Sequence, residues 1–297
     1  MTIVVPKDYH CISALENSQV QCITTDEALR EDIRALRVGI LNIMPKAETY
    51  EYSLLQPLGR SVLQIEPVWI RLKTHAYTSS DQSHLDKLYV SFEDAVARAR
   101  LDGLIVTGAP VEEIPFEEVV YWEEIKRILK YARKNVASTL GICWGGLALA
   151  KFLGIDKTVY SKKIFGTFQT ANLNRNHRIT GEMDDWFWCA QSRHSGIDDH
   201  VLEQARDEGL VKLLAHAKEA GYVIFESTDG RFLIHLGHPE YEPKRLIDEY
   251  KRDLAKGRDD VEPPKNVDLE NPANLWRSHR TEFFTQWIKH LHEATSY

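Results

Sequence analysis

A chain of 297 residues is long enough to bury a sizeable core, and its length suits one large domain or two modest ones. With 37 Lys+Arg against 44 Asp+Glu the formal charge is -7, so the field of the whole protein repels phosphate backbones and anionic lipid. Nucleic acid and membrane surfaces are accordingly not expected as partners.

The opening MTIVVPKDYHCIS has no basic stretch leading into an apolar one, and no later segment reaches the roughly 20 apolar residues of a membrane span. A cytoplasmic protein is expected. Cys11, Cys22, Cys143 and Cys189 form no C-x-x-C pair, which suits neither a disulfide framework nor a structural zinc site. No metal site is expected, and any cysteine chemistry should be individual.

Residues 1–35 show no clear period. LRVGILNIMP (Leu36 to Pro45) is a continuous apolar run ended by proline and reads as a buried strand. PVWIRLK (Pro67 to Lys73), LDGLIVTGAP (Leu101 to Pro110) and VASTLGIC (Val136 to Cys143) read as further strands. Between the last two, Trp122, Ile125, Leu129 and Ala132 recur at the spacing that lines one face of a helix. Strands alternating with helices, each strand closing on a Gly or Pro turn, predict an α/β protein with a doubly wound, mostly parallel sheet and flanking helices. Sites on such sheets gather at the carboxyl ends of the strands. Further on, GYVIFESTDGRFLIHLGHPEY predicts a hairpin turning at Thr228, Asp229 and Gly230. EPKRLIDEYKRDLAKG predicts a helix stopped by Gly257. A connector from Arg258 to Ser278 leads to a last amphipathic helix, TEFFTQWIKHLHE. The expected organisation is a single domain over 1–297, with the 1–35 segment and the 258–297 connector and helix packed on it.

Cys143 closes a predicted buried strand, and Trp144, Gly145 and Gly146 open the helix behind it. Such an elbow exposes its apical side chain, a helix N-terminus favours a thiolate, and small residues let backbone N–H groups approach a developing oxyanion. A buried core cysteine is the rival reading of the same residues. A thiolate needs a base, and GHPEY places His238 and Glu240 two apart, so that in extended backbone the carboxylate can orient the imidazole. An ordinary strand-ending turn is the rival here. His235 and His238, three apart, fall on opposite faces of a strand, which argues against a zinc pair.

Together these pieces resemble the class I glutamine amidotransferase-like fold and, within it, the homoserine O-acyltransferases of methionine biosynthesis, the MetA family. The resemblance runs through LRVGILNIMPK, DGLIVTGAPVE, YWEEI, STLGICWG, KKIFG, QSRH, GHPEY and the E-Y-K-R-D helix to LWRSH, which covers most of the chain. It implies an acyl-CoA-dependent amino-acid O-acyltransferase that works by a ping-pong mechanism. Cys143 would carry the acyl group as a thioester, with His238 as general base and Glu240 holding it. Lys163, Ser192 and Arg252 match substrate-contacting positions, and a guanidinium suits capture of the amino acid's carboxylate. Without the resemblance, Lys163 and Arg252 both read as surface residues. Lys46 and Trp144 are candidates for the oxyanion or acyl site.

In the resembled family, glutamate at the position of Glu112 goes with acetyl transfer and glycine with succinyl transfer. Acetyl-CoA is therefore the expected co-substrate, with no permanently bound cofactor. L-Homoserine is the expected acceptor, and L-serine, one methylene shorter, is the alternative. Succinyl-CoA as donor, a glutaminase or other cysteine hydrolase on the same fold, and a binding protein that has lost activity are the further alternatives. A homodimer is the one assembly left open. Gln191, Thr170 and the 47–55 segment depart from the family pattern, on segments expected to surround the acceptor.

Overall fold

The computed structural model describes residues 2–31 and 33–295. Its strands form one sheet: β1 (Thr2–Val4), β2 (Gln21–Ile23), β3 (Leu36–Leu41), β4 (Gln64–Ile70), β5 (Gly103–Val106), β6 (Ser138–Ile142), β7 (Thr158–Asn172), β8 (Trp186–Gly196), β9 (Val211–Ala217), β10 (Gly221–Ser227) and β11 (Phe232–His235). Their order across the sheet is β2-β1-β4-β3-β5-β6-β11-β10-β9-β7-β8. Every pairing from β2 to β11 is parallel, and every pairing from β11 to β8 is antiparallel. The sheet is thus mixed, with a parallel part that matches the expectation and an antiparallel wing.

The apolar strand runs arise because both faces are covered. Along β3, Val38 and Ile40 pack into one cluster with Leu54 and Leu55 of the helix Ala47–Leu58 and Trp287 of the helix Arg277–Ala294. Leu104 and Val106 of β5 pack into the other, with Ile125 and Leu129 of the helix Trp122–Asn135 and Leu149 of the helix Trp144–Phe152. Fully burying each such side chain stabilises the fold by about 1.5–3 kcal/mol. The carboxyl-terminal helix crosses the middle of the sheet, where a Cβ on Gly103 would stand 2.4 Å from Leu291 Cδ1 and Trp287 Nε1 donates to Ser138 Oγ at 3.1 Å.

Three sequence expectations shift. Residues 1–35 are not patternless in space: β1 and β2 extend the parallel edge, but as three-residue strands they are too short to show a period. The strand read as Pro67 to Lys73 is Gln64–Ile70, with Pro67 inside it just past Ile65, where short β1 stops pairing. The last helix opens at Arg277 rather than Thr281, and Trp276 caps it. The hairpin β10–β11 and the helix Pro243–Ala255, with Gly257 at φ 69° beyond it, match their expectations.

Candidate active site

The parallel neighbours β3, β5, β6 and β11 end side by side, with Leu41 opposite Val106 and Ile142 opposite His235. The loops that leave these ends carry Lys46, Gly108, Cys143 and His238. Cys143 stands at φ 50°, ψ -114° and caps the helix Trp144–Phe152. That positive φ is uncommon for a residue with a side chain and is the kind of strain that collects at functional sites. It is held in place by packing: a Cβ on Gly145 would lie 2.1 Å from Val106 O, and one on Gly141 2.6 Å from Gly145 O. The two glycines therefore let the elbow press against the strands.

Cys143 and His238 meet. A Cβ on Gly108 would stand 3.6 Å from both Cys143 Cβ and His238 Cε1, which places the two side chains beside one another. His238 Nδ1 pairs with Glu240 Oε1 at 2.7 Å, and both residues are buried. Burial opposes the charged imidazolium, but the neighbouring Cys143 and Glu240 outweigh it and hold His238 well above the ordinary histidine range. Burial, as the largest influence, pushes Cys11 and Cys189 up to about 12 and raises Cys22. Thiols held protonated in this way are poor nucleophiles.

Close packing also positions His238. His238 N–H donates to Ala190 O of β8 at 2.8 Å, and a Cβ on Gly237 would stand 2.5 Å from that same oxygen and 2.6 Å from Gln191 Nε2. Gln191 lies behind this loop, bonded to Cys189 Sγ at 3.2 Å and accepting from Arg193 Nε at 2.9 Å. Thr170 is fully buried within β7 and bonds Phe168 O at 3.1 Å. These two departures from the family pattern serve the packing of the β7–β8 hairpin in this structure. Tyr241 stacks on the His238 ring with centroids 4.0 Å apart, and its carbonyl accepts from Trp276 Nε1 at 2.9 Å.

The predicted substrate residues converge on two carboxylates that sequence reasoning missed. Lys163, buried rather than on the surface, bonds Asp253 at 2.7 Å, lies 4.0 Å from Glu249 and stands 4.0 Å over the Phe165 ring. Ser192 Oγ donates to Glu249 at 2.5 Å, and Tyr241 OH donates to its other oxygen at 2.9 Å. Arg252 is half-exposed and donates to Asp253 at 2.8 Å. Opposing charges outweigh burial, the largest single influence, and hold both Glu249 and Asp253 below the usual carboxylate range. Arg245, Glu249 and Asp253 recur at i, i+4 on the helix after GHPEY, and that period was the available signal.

Glu112 turns inward. Its carbonyl accepts from Ser195 Oγ at 2.6 Å and from Lys157, while its Oε2 is buried without a partner. Burial raises its carboxyl above the usual range, partly offset by the His194 N–H, Lys163, His238 and Arg193. Its neighbour Glu113 pairs with Arg258 at 2.9 Å. The Trp144 indole is fully buried against Phe116 and Tyr121, and its backbone N–H lies at the start of the helix, where the first donors lack intrahelical partners. Lys46 is exposed at φ 53°, and its N–H donates to Ser79 Oγ at 3.3 Å.

Ligand-type atoms gather at His10, Glu51 and His84 and at Glu113, His194 and Asp260. In the second group Arg258 donates to both carboxylates, and in the first Glu51 already accepts from Tyr9, His84 and Tyr89. Both sets are engaged by the protein's own donors.

His235, at the end of β11, makes a pH prediction. Burial pushes its imidazole down to about 4. Between that value and an unfolded value near 6.5 the unfolded chain binds more protons, so stability falls as pH drops through this window, by on the order of 3 kcal/mol. His238 acts with the opposite sign: its contribution is complete below about 6.5 and is lost as pH rises through its raised value, outside the acid window. Urea unfolding is expected to show a midpoint that declines from pH 6.5 to 4, and a shallower decline in His235→Gln. Equal slopes would remove His235 as the cause.

A family model described as homoserine O-succinyltransferase matches residues 2–297. The homoserine O-acetyltransferase of Petrotoga mobilis is 38% identical over 303 residues, spanning 100% of this chain and 97% of the relative. That of Bacillus subtilis is 36% identical over 302 residues, spanning 100% and 99%. Among solved structures, a glutamine amidotransferase from Thermotoga maritima superposes with a TM-score of 0.55 at 16% identity, covering 87% of this chain and 99% of the other. A glutamine amidotransferase from Methylobacillus flagellatus gives 0.51 at 12% identity, covering 89% and 94%. These likenesses show a class I glutamine amidotransferase type of fold. With a thiol elbow and a His-Glu pair at the ends of its parallel strands, and matched over nearly its whole length, the chain belongs to the homoserine O-acyltransferase family.

Proposed function

We propose that the protein is a homoserine O-acetyltransferase that transfers acetyl from acetyl-CoA to the hydroxyl of L-homoserine through an acetyl-Cys143 thioester. The observation that carries this reading is the buried Cys143–His238–Glu240 line at the elbow. The Cys143 sulfur attacks the thioester carbonyl, the carbon–sulfur bond to coenzyme A breaks, and the proton on His238 passes to the departing thiolate. One thioester replaces another, so this half is nearly balanced. Neutral His238 then takes the proton of the acceptor hydroxyl, whose oxygen attacks acetyl-Cys143 and displaces the sulfur. An ester forms from a thioester, which runs downhill, and the step leaves His238 protonated beside the released Cys143 sulfur.

The raised His238 suits both halves, because an imidazolium favoured at rest is ready to donate first and to accept later. The N-terminus of the helix Trp144–Phe152 and the Trp144 N–H favour the oxyanion. Lys163, Ser192 and Arg252, gathered around Glu249 and Asp253, would hold the amino acid, its carboxylate on Arg252 and its ammonium on the carboxylates. Glu112 and the names of the relatives support acetyl over succinyl as the acyl group.

The test is a panel of acetyl- or succinyl-CoA with homoserine or serine, following free thiol release. Acetyl-CoA with homoserine is expected to be fastest. Faster transfer to serine overturns the acceptor, equal use of succinyl-CoA overturns the donor, and ammonia release from glutamine without acyl transfer overturns the reaction class.

A further inference from the structure

The catalytic carboxylate has a second donor. Tyr50, in the first turn of the helix Ala47–Leu58, is buried and donates its hydroxyl to Glu240 Oε1, the same oxygen that holds His238 Nδ1. Glu240 Oε2 is buried and has no partner. Both hydrogen bonds that the structure shows to this carboxylate therefore fall on one oxygen. In a water-excluded site a charge-assisted bond from a neutral hydroxyl stabilises the ionised carboxylate and fixes its plane.

Tyr50 is itself held from outside the site. Its neighbour Glu51 is fully buried and accepts from Tyr9 at 2.5 Å, His84 at 2.7 Å and Tyr89 at 2.8 Å. Asn42, one residue past β3, donates to Tyr89 OH at 2.9 Å. Strand end, amino-terminal segment and helix start are thus tied together at Glu51, and the adjacent tyrosine is aimed from a rigid base at the strand ends.

Given the Cys143–His238–Glu240 reading above, we infer that Tyr50 is a positioning residue of the acyl transfer, holding Glu240 oriented so that His238 presents its other nitrogen to Cys143. The 47–55 segment, one of those that depart from the family pattern, then contributes to the catalytic line rather than to the acceptor pocket. The other titratable groups that act on Glu240, or through the groups it bonds, are Cys143, Cys189, His235, His238, Tyr241 and Arg245. Of the neutral ones, Tyr50 and Tyr241 hold their protons far above physiological pH, raised mainly by burial, so the hydroxyl remains a donor throughout the working range.

Tyr50→Phe keeps the ring and removes the donor. It is expected to lower kcat about 10- to 100-fold and to leave both KM values within about twofold, since the acyl-transfer line is disturbed and the substrate contacts are not. In a Glu240→Gln background the same substitution should change kcat less than about twofold, because the group through which Tyr50 acts is gone. A purely structural tyrosine would give the same loss in both backgrounds, and that result overturns the inference. Where Glu240→Gln is too slow to measure, the split decides alone: a loss carried by KM rather than kcat overturns the inference. Acetylation of Cys143 by acetyl-CoA without acceptor, compared between wild type and Tyr50→Phe, checks the underlying thioester reading separately: its absence in wild type indicts that reading and not Tyr50.

Discussion

Cys143→Ala is expected to reduce acetyl transfer by roughly 10⁴-fold or more, the loss typical of removing a nucleophile from a triad. In the unaltered protein, acetyl-CoA without acceptor should leave one acetyl group on Cys143, since the first half-reaction needs no amino acid. Intact mass and peptide mapping read this directly. A label that appears only when acceptor is present, or that sits on Cys11, Cys22 or Cys189, would show the ping-pong assignment to be wrong. His238→Asn should match the loss of the nucleophile within about tenfold. Glu240→Gln should be milder, about 10²- to 10³-fold, because an amide can still accept from His238 Nδ1 at the 2.7 Å position but carries no charge to stabilise the imidazolium. Near-wild-type rates in both would remove the pair from the mechanism.

Glu112→Gly should change the donor. In the wild type, a succinyl carboxylate brought beside the buried carboxylate of Glu112 meets its charge and its bulk, at a cost of several kcal/mol where water is excluded. The ratio of kcat/KM for succinyl-CoA to that for acetyl-CoA is therefore expected to rise by on the order of 10²-fold, with acetyl transfer lowered or unchanged. Wild-type protein should strongly prefer acetyl-CoA. If it uses both donors alike, Glu112 lies outside the acyl pocket, and the donor assignment falls while the Cys143 chemistry stands.

How much of this was legible beforehand follows from the range of the forces involved. The parallel part of the sheet could be read because its strands are buried on both faces and therefore uniformly apolar, as in LRVGIL and STLGI, with a Gly or Pro turn at each end. The elbow could be read because its demands are local: a strand end, one nucleophile and glycines that must approach backbone. Glu112, Lys163, Ser192 and Arg252 came from family resemblance, and their bare residue types would have left them as surface or anonymous positions.

The tertiary structure alone decided the rest. The antiparallel wing mixes exposed and buried residues along β7, so no simple period announces it, although it buries Lys163 and Ser192. Gln191 and Thr170 look like substrate-facing departures in sequence, but close approach at Gly237 and burial in the hairpin assign them to packing. Tyr50 reaches Glu240 across 190 positions of chain, and Glu249 collects a tyrosine, a serine and a lysine from three different parts of the chain. Local sequence determined where a thiolate and its base can stand, because elbow and turn are made by neighbours. Which groups keep them charged and oriented was decided only in three dimensions, since a buried charge is stabilised by whatever the fold brings within hydrogen-bonding distance, regardless of separation along the chain.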